Sequence, residues 1–349
     1  MRARNLVKSV IHNCVTCTRE RAAIPTQLMG DLPKPRVSSA TRSFLHCGVD
    51  YAGPVQIRAS AGRGITARKA YIALFVCLAT RAIHLELVSD YSTPAFLNAF
   101  SRFCSRRGLP QSMYSDNGTN FLGADRELTL AYRSALRDPN FQNATASDNV
   151  AWNFMPSSPH FGGLWEAGVR SLKTHLRRVL KSHMLTFEEF STLLCRIEAC
   201  LNSRPLAPLS DTLDDYECLT PGHFLVGSAL TVSPEPSLLQ LNENRLSRWQ
   251  LVRHVTERFW KLWQNDYVNT LQQRAKWRKV KPPIRVGQLV LLRSPALPPC
   301  KWDLGRVTKC HAGSDGLVRV VTVKTATSEY QRPIVKLCLL PINSEVTSN

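Results

Sequence analysis

The sequence predicts a mixed α/β sheet with flanking helices over residues 43–230, and a small all-β domain over residues 286–342. Three observations lead to this fold class. Short β-branched and aromatic runs precede a segment with helical periodicity. Strand and helix signals then alternate, and the last part of the chain contains short apolar runs between Pro and Gly turns. With 349 residues, of which 44% are hydrophobic, the chain is long enough for two or three cores.

The first half of the α/β region begins with three strand signals, separated by Gly or Thr-Arg turns. They lie at residues 44–51, 70–78 and 82–88. Residues 93–107 follow, in which Phe96, Phe100 and Phe103 recur at the spacing of one helix face. A Gly-Leu-Pro sequence then ends this predicted helix.

The second half of the region alternates between the two kinds of element. We predict strands at 112–115 and 152–155, and helices at 124–136, near 163–181 and at 187–202. The order is three strands, helix, strand, helix, strand and helices. Ribonuclease-H-like folds have this order, and we predict such a mixed sheet with flanking helices.

The C-terminal part combines a basic segment with short strands. Residues 245–285 hold eleven Lys or Arg against two acidic residues, together with four Trp. Val252, Val255 and Phe259 follow helical spacing, so we interpret part of this segment as an amphipathic helix packed on a core. The cation density favours contacts with a nucleic-acid backbone. Four strand signals follow at 287–293, 304–310, 317–325 and 334–340, which predict a small barrel.

The charge of the chain points to a polyanionic partner. There are 45 Lys and Arg against 26 Asp and Glu, a formal net charge of +19, and nucleic acid is the commonest such partner. The most apolar run, residues 71–79, is too short to cross a bilayer, and no signal-peptide core follows the N-terminus. Eleven scattered Cys suggest reduced thiols inside a cell. We expect a nuclear protein with cytoplasmic transit, and no membrane partner.

Three acidic residues stand at predicted element ends. Asp50 closes the first strand, Asp116 closes the fourth, and Glu166 opens the helix near 163–181. Such placement can bring carboxylates to one edge of a sheet, where their oxygens suit two Mg²⁺ or Mn²⁺ ions for phosphodiester chemistry. The alternative is that each is a turn or cap residue, which is the commoner role of a single Asp at such a position.

The helix that begins at Glu166 has two different faces. At about 100° per residue, Arg170, Lys173 and Arg177 lie within about 40° of Glu166. The apolar residues lie on another face: Trp165, Val169, Leu172, Leu176 and Val179. This arrangement predicts a metal ligand beside a surface for phosphates. A solvated surface helix more often mixes charge signs.

Three segments resemble the signatures of retroelement integrases, most closely those of the BEL/Pao class of long-terminal-repeat retrotransposons. They are CGVDYAGP at 47–54, YSDNGTNF at 114–121 and HFGGLWEAGVRSLK at 160–173. The resemblance implies that Asp50, Asp116 and Glu166 are the catalytic metal ligands. It also implies that Lys173 contacts DNA, with Asn117 and Asn120 beside the site to orient DNA or water. Turn chemistry is the alternative role of the two Asn residues.

The resemblance also implies an activity and an assembly. Integrases of this kind trim element DNA ends and join them to target DNA as homo-oligomers, and their C-terminal module is an SH3-like barrel. Two alternatives remain open. The chain could be a domesticated or truncated element protein that binds nucleic acid without catalysis. It could also be a related DDE transposase or nuclease, which would share the same ligands.

The N-terminal region contains half of a zinc site. Cys14 and Cys17 have metal-knuckle spacing within residues 1–20. Similar integrases place a His pair upstream, and His12 is too close to supply it. We interpret residues 1–20 as the remnant of a zinc module, from a fragment or from a gene that lost the first half, and we do not expect Zn²⁺ here. Residues 21–42 are predicted to be a linker. The acidic His84–Asp90 region, with Glu86 and Asp90, is interpreted as the exposed face of a half-buried strand.

Overall fold

A computed structural model describes most of the chain, which forms two compact units, Met1–Val37 and Ser38–Asn349. In the first unit, helix α1 spans Ala3–Asn13 and none of its residues is buried. The described residues are 3–16, 37, 42–60, 66–116, 119–135, 150–154, 163–180, 183–210, 212, 214–232, 235–272, 284–293 and 297–340. For residues 119, 131–135 and 163–166, the backbone is described and the side chains are not. No helix in these ranges is long and apolar enough to cross a membrane.

The second unit is built on a six-stranded mixed sheet. Its strands are β1 (His46–Arg58), β2 (Ala67–Cys77), β3 (Ile83–Val88), β4 (Ser112–Ser115), β5 (Ala151–Phe154) and β6 (Leu185–Thr186). The order is β3-β2-β1-β4-β5, and β6 pairs with the far end of β1. Strands β1, β2 and β3 pair antiparallel, whereas β4 pairs parallel with both β1 and β5. The predicted mixed α/β sheet is confirmed.

Strand β1 continues beyond its predicted end. We expected it to stop near residue 51, because Gly53-Pro54 is typical of a turn. Instead the pairing with β2 shifts register between Ala52 and Val55 and then resumes to Arg58. Gly53 has φ +149°, and a Cβ there would lie 3.0 Å from a Tyr71 ring carbon, so this bulge favours glycine. Asp50 therefore lies inside a strand rather than at its end.

Helices cover both faces of the sheet. They are α2 (Thr93–Arg107), α3 (Thr119–Ala135), α4 (Gly163–Leu180), α5 (Phe187–Asn202), α6 (His223–Val226) and α7 (Arg248–Leu271). Side chains alternate along a strand, so Val49 and Phe75 pack in the core with α2 and α3. Ile72 and Leu74 pack in the opposite core with α4, α5 and α7. The helix predictions at 93–107, 163–181 and 187–202 are confirmed within a residue.

Helix α5 covers the edge of the sheet at β3. The Asn202 side chain donates from Nδ2 to the Ile83 carbonyl at 2.7 Å and accepts at Oδ1 from the Ile83 N–H at 2.8 Å. Glu198 accepts from the Leu85 N–H at 2.8 Å. On an uncovered edge strand, these backbone N–H and C=O groups are free to bind water or a strand of another chain. Here side chains from a helix more than a hundred residues away satisfy them.

The prediction that His84 and Glu86 are exposed is wrong. All six residues of β3 are buried, and His84 has no exposed surface. Glu86 pairs with Arg102 at 2.8 Å and with Arg106, and His84 contacts both Glu86 and Glu198. The alternation of polar and apolar residues in β3 suggested that one face of the strand is exposed to solvent. Basic residues of α2 and a carboxylate of α5 instead enclose the His84 and Glu86 side chains. Asp90, in the turn after β3, is exposed as expected.

The C-terminal sheet is antiparallel and open. Its strands are β9 (Leu289–Leu292), β10 (Leu304–Ala312), β11 (Val318–Thr325), β12 (Glu329–Pro333) and β13 (Leu337–Leu339), after two short strands, β7 (Ala207–Pro208) and β8 (Cys218–Leu219). The order is β12-β11-β10-β9-β13, so the two edges do not pair and the predicted barrel is not closed. A 3₁₀ turn at Ile334–Lys336 occupies the start of the expected last strand, which leaves β13 three residues long.

Candidate active site

The register between the parallel strands β1 and β4 places Asp50 beside Asp116. Strand β1 pairs with β4 through His46 with Ser112, and through Gly48 with Tyr114. Continuing this register by two residues sets Asp50 opposite Asp116. Neighbouring strands lie about 4.8 Å apart, and paired residues point to the same face. Asp50 is half-buried and Asp116 is exposed. The two carboxylates therefore occupy adjacent positions on one face of the sheet, open to solvent on the Asp116 side.

One oxygen of Asp50 is held by the backbone. The Tyr51 N–H donates to Asp50 Oδ1 at 2.7 Å. A local bond of this kind limits the rotation of the carboxylate, because the donor lies on the next residue of a rigid strand. This hydrogen bond fixes the orientation of the Asp50 carboxylate and leaves its negative charge in place.

Helix α4, which carries Glu166, packs on the same face. Asp50 pairs with Leu74 of β2, and a Cβ built on Gly168 would lie 3.7 Å from Leu74 Cδ2. Gly168 is two residues from Glu166, so the first turns of α4 lie over the strand neighbour of Asp50. The backbone of Glu166 belongs to α4, and its side chain lies outside the described residues. The structure thus brings together Asp50, Asp116 and the helix that carries the third predicted acid.

An aromatic cluster borders the two aspartates. The Tyr91 ring lies 4.9 Å from the Tyr51 ring and 5.3 Å from the Tyr71 ring, centroid to centroid. Tyr91 keeps 44% of its surface exposed. Burial raises the pKa of Tyr91, and the negative charges of Asp116 and Asp50 raise the pKa further. The Tyr91 phenol therefore lies within electrostatic range of both carboxylates. Sequence reasoning missed this residue.

Asn120 lies beneath the site rather than on its surface. It is 2% exposed, and within the described ranges neither Oδ1 nor Nδ2 of its carboxamide has a hydrogen-bond partner. Burial raises the pKa of the Tyr51 hydroxyl, and the neighbouring Asn120 offsets only part of the rise. The two groups face each other without a bond of ordinary geometry. Asn117 lies outside the described residues.

The predicted division of α4 into two faces is confirmed in its described part. Leu172, Leu176 and Val179 are at most 2% exposed. Arg170 and Arg177 are exposed and Lys173 is half-buried. None of these three cations forms an ion pair with a carboxylate of the described chain, whereas their neighbour Arg178 pairs with Asp266 at 3.8 Å. This basic stripe (Arg170, Lys173 and Arg177) is therefore available to an external anion.

A cavity of about 390 Å³ adjoins the stripe. Lys173, Arg177 and His183 lie at its wall, together with the β1 segment that follows the bulge. The rest of the described lining is mostly apolar, including Leu176 and Leu180. The cavity is continuous with the face of α4 that carries the free cations.

Helix α7 presents fewer free cations than its composition suggested, and of its four Lys and Arg residues Lys261 alone forms no ion pair with the described chain. Its apolar side is buried through Val252, Phe259, Trp260 and Trp263. Its arginines are largely paired: Arg248 with Glu189, Arg253 with Glu235 at 2.6 Å, and Arg258 with Glu243. The packing interpretation is confirmed for residues 248–271, where the acids come from other segments. Residues 273–283, which hold most of the remaining cations, lie outside the described ranges.

The described residues contain no complete metal site. No group of three or more His, Cys, Asp or Glu side chains in the described ranges is placed to hold a metal ion. Cys14 is half-buried just after α1, while Cys17 lies outside these ranges. The carboxylates of Asp50 and Asp116 are hard oxygen donors, the kind that Mg²⁺ and Mn²⁺ prefer in proteins. The third ligand of such a site would come from α4.

One part of the chain matches a known family model. Residues 247–340, which include α7 and the open sheet, match a family of unknown function (DUF5641). No curated protein matches. Among solved structures, a chain of the simian T-cell lymphotropic virus intasome in complex with PP2A regulatory subunit B56 gamma is similar over 96% of this chain and 90% of that chain. The identity is 12% and the TM-score is 0.33. A likeness at this level indicates no activity for the present protein.

Proposed function

We propose that this protein is a retroelement integrase, which binds DNA and catalyses metal-dependent 3′-end processing and strand transfer. The observation that carries the proposal is the parallel register of β1 with β4, which, continued two residues past Gly48 and Tyr114, sets Asp50 of β1 beside Asp116, the residue after β4. Helix α4, with Glu166, packs over the same face. The three signature segments that resemble BEL/Pao integrases contain these same three acids. Phosphodiester transfer requires such a set of oxygen ligands beside an open surface.

The proposed roles follow from position. Asp50, Asp116 and Glu166 would hold two Mg²⁺ or Mn²⁺ ions, which when bound activate the attacking oxygen and stabilise the leaving oxygen. The Tyr51 N–H orients Asp50. The exposed side of Asp116 leaves room for a phosphodiester to approach. Tyr91, which packs on Tyr51 and Tyr71 within electrostatic range of both carboxylates, would border the bound phosphodiester.

The basic stripe of α4 supports DNA as the substrate. Arg170, Lys173 and Arg177 are unpaired within the described chain and continue from Glu166 along one helix face. Backbone phosphates are the natural partners of such a row. Asn120 is enclosed in this conformation, so we assign it to positioning Tyr51 rather than to direct DNA contact. The net charge of +19 fits the same partner. We further propose action in the nucleus after cytoplasmic transit, as a homo-oligomer.

The test uses joining chemistry that does not depend on the terminal sequence of an element. A labelled branched duplex, in which one strand is already joined to a target, is incubated with the full chain and Mn²⁺. Attack of the free 3′-hydroxyl of the target strand on the junction phosphodiester reseals the target and releases the element strand with its own 3′-hydroxyl, which is the reverse of strand transfer. We expect resealing by the native protein. Asp116→Asn should lose at least about 100-fold of the rate, since one anionic ligand becomes a neutral amide.

Asp214→Asn is the matched control. Asp214 is exposed, and its ion pair with Lys324 at 2.8 Å lies at the surface, so its loss changes little. Equal resealing rates for Asp116→Asn and the native protein would contradict the catalytic assignment. Cleavage without resealing would point to the nuclease alternative. Tight DNA binding without either reaction would point to a domesticated binding protein.

A further inference from the structure

We propose that Cys200 and Cys300 form a redox modification site, in which a small hydroperoxide oxidises the two thiols to a disulfide. Their sulfur atoms lie 3.9 Å apart, although the residues are 100 positions apart in the chain. Cys200 belongs to helix α5, and Cys300 lies in the loop between β9 and β10. The disulfide would therefore tie a helix of the mixed sheet to the open C-terminal sheet.

The surroundings of the two thiols hold them close together. Cys200 has no exposed surface, Cys300 is 8% exposed, and both pack in the core that α5 shares with α7. The Trp260 indole N–H donates to the Leu297 carbonyl at 3.2 Å, which fastens the loop of Cys300 to α7. A disulfide bond is about 2.05 Å long, so the sulfur atoms have to approach by about 1.9 Å. Rotation of the two side chains can supply a movement of this size.

The two thiols differ in acidity. The hydrogen bond with Cys200 lowers the pKa of Cys300, the neighbouring Ser203 lowers it further, and burial opposes both effects. The same hydrogen bond and burial raise the pKa of Cys200 well above its usual value. The Trp302 indole N–H donates to Ser203 Oγ at 3.2 Å and so fixes the position of this hydroxyl. Because the thiolate is the reactive form of cysteine, Cys300 is the nucleophile of the pair.

The oxidation has two steps. The Cys300 thiolate attacks one oxygen of the hydroperoxide, so an S–O bond forms and the O–O bond breaks. The departing alkoxide takes the proton that the Cys300 thiol had released. Cys200 then attacks the sulfur of the resulting sulfenic acid, so the S–S bond forms and the S–O bond breaks. The hydroxide leaves with the Cys200 proton as water. The two thiols are oxidised by two electrons, and the hydroperoxide is reduced to an alcohol and water.

A small oxidant can approach the loop that carries Cys300. The loop borders a cavity of about 520 Å³, whose wall includes residues on both sides of this cysteine: Leu297, Pro298, Pro299 and Lys301. Only a narrow part of Cys300 is exposed. Such an opening suits a molecule of the size of hydrogen peroxide better than a protein disulfide.

Other thiols of the described chain are bound to the backbone instead. The Cys47 thiol donates to the Phe44 carbonyl at 3.1 Å, and the Cys310 thiol donates to the Ile284 carbonyl at 3.4 Å. Burial raises the pKa of both Cys47 and Cys310. These two thiols are therefore expected to stay protonated, and Cys310 supplies a matched control.

The experiment treats the reduced full chain with hydrogen peroxide, alkylates the remaining thiols and maps disulfides by mass spectrometry after digestion. We expect a peptide pair linked through Cys200 and Cys300, which a reducing thiol separates. The oxidised protein should unfold about 5 °C higher, because the closed loop restricts the unfolded chain. Cys310→Ala should form the same link and show the same shift.

Single variants distinguish the roles of the two thiols. In Cys200→Ala the sulfenic acid of Cys300 has no partner thiol, so dimedone should trap it. In Cys300→Ala we expect Cys200 to remain a free thiol. A link that formed only in urea would overturn the proposal, as would oxidation of the exposed Cys195 while the pair stayed reduced. The proposed function is tested separately, since a chain that fails to reseal branched DNA could still form this disulfide.

Discussion

Replacement of Asn202 by Ala should destabilise the central sheet strongly, although Asn202 is the last residue of a helix that lies outside the sheet. Its carboxamide makes both hydrogen bonds that the backbone of Ile83 requires, at 2.7 and 2.8 Å. Asn202 has no exposed surface, and Ile83 is 9% exposed. Alanine would remove the donor and the acceptor together and leave a buried N–H and a buried C=O without partners.

The size of the effect follows from those two groups. A buried backbone group left without a partner costs about 1 to 3 kcal/mol. Two such groups give an expected loss of about 2 to 6 kcal/mol in the free energy of unfolding. Entry of water at the sheet edge would bring the loss toward the lower value. The gain in helix propensity from Asn to Ala is at most about 0.7 kcal/mol and does not offset it.

Urea unfolding, followed by circular dichroism, measures this loss as a lower midpoint at an unchanged slope. Asn265→Ala is the matched control. Asn265 is also helical, but its Nδ2 makes a single exposed bond, at 2.8 Å, to the Lys261 carbonyl of the same helix. That variant should stay within about 0.5 kcal/mol of the native protein. If Asn202→Ala lost no more than this control, side-chain capping of β3 would not stabilise the sheet.

Two further predictions concern buried basic groups. Burial lowers the pKa of His84, so the unfolded chain binds its proton more readily, and the free energy of unfolding should fall as pH drops from about 7.5 to about 5.5. In urea titrations at both pH values, His84→Gln should show a shallower fall, and an identical fall would count against this. Arg306→Lys should cost about 1 to 3 kcal/mol, because a single ammonium cannot reach the carbonyls of Ser210, Asp215 and Gly287 that Arg306 binds at 2.7 to 3.1 Å. An equal loss for Arg293→Lys, at an exposed position, would contradict the reasoning.

Much of the fold could be predicted because it depends on local patterns. Runs of β-branched and aromatic residues marked β2 and β3, and the repeat of Phe96, Phe100 and Phe103 marked α2. Strand β12 was missed because its sequence, EYQRP, is polar and largely exposed, and it exists by pairing with β11. The continuation of β1 past Gly53 was missed for a related reason. The register shift there is set by β2 and not by the local sequence.

In the candidate site too, some features could be predicted from local sequence and others depend on tertiary contacts. The approach of Asp50 to Asp116 could be expected, because both follow signals for strands of one sheet. The environment of His84 could not, because it depends on Glu198, which is 114 residues away along the chain. Tyr91 was also beyond sequence reasoning. A single aromatic residue in a turn carries no periodicity, and its place beside the aspartates follows from ring contacts with Tyr51 and Tyr71.

The covered edge at β3 also restricts how molecules of this protein can associate. A strand from another copy that approached this side would find the Ile83 N–H and C=O, and the Leu85 N–H, already bonded to side chains of α5. The sheet therefore cannot be extended across β3 by strand addition. Copies of this protein are thereby hindered at this edge from forming a continuous intermolecular sheet, and any association there has to use side-chain surfaces.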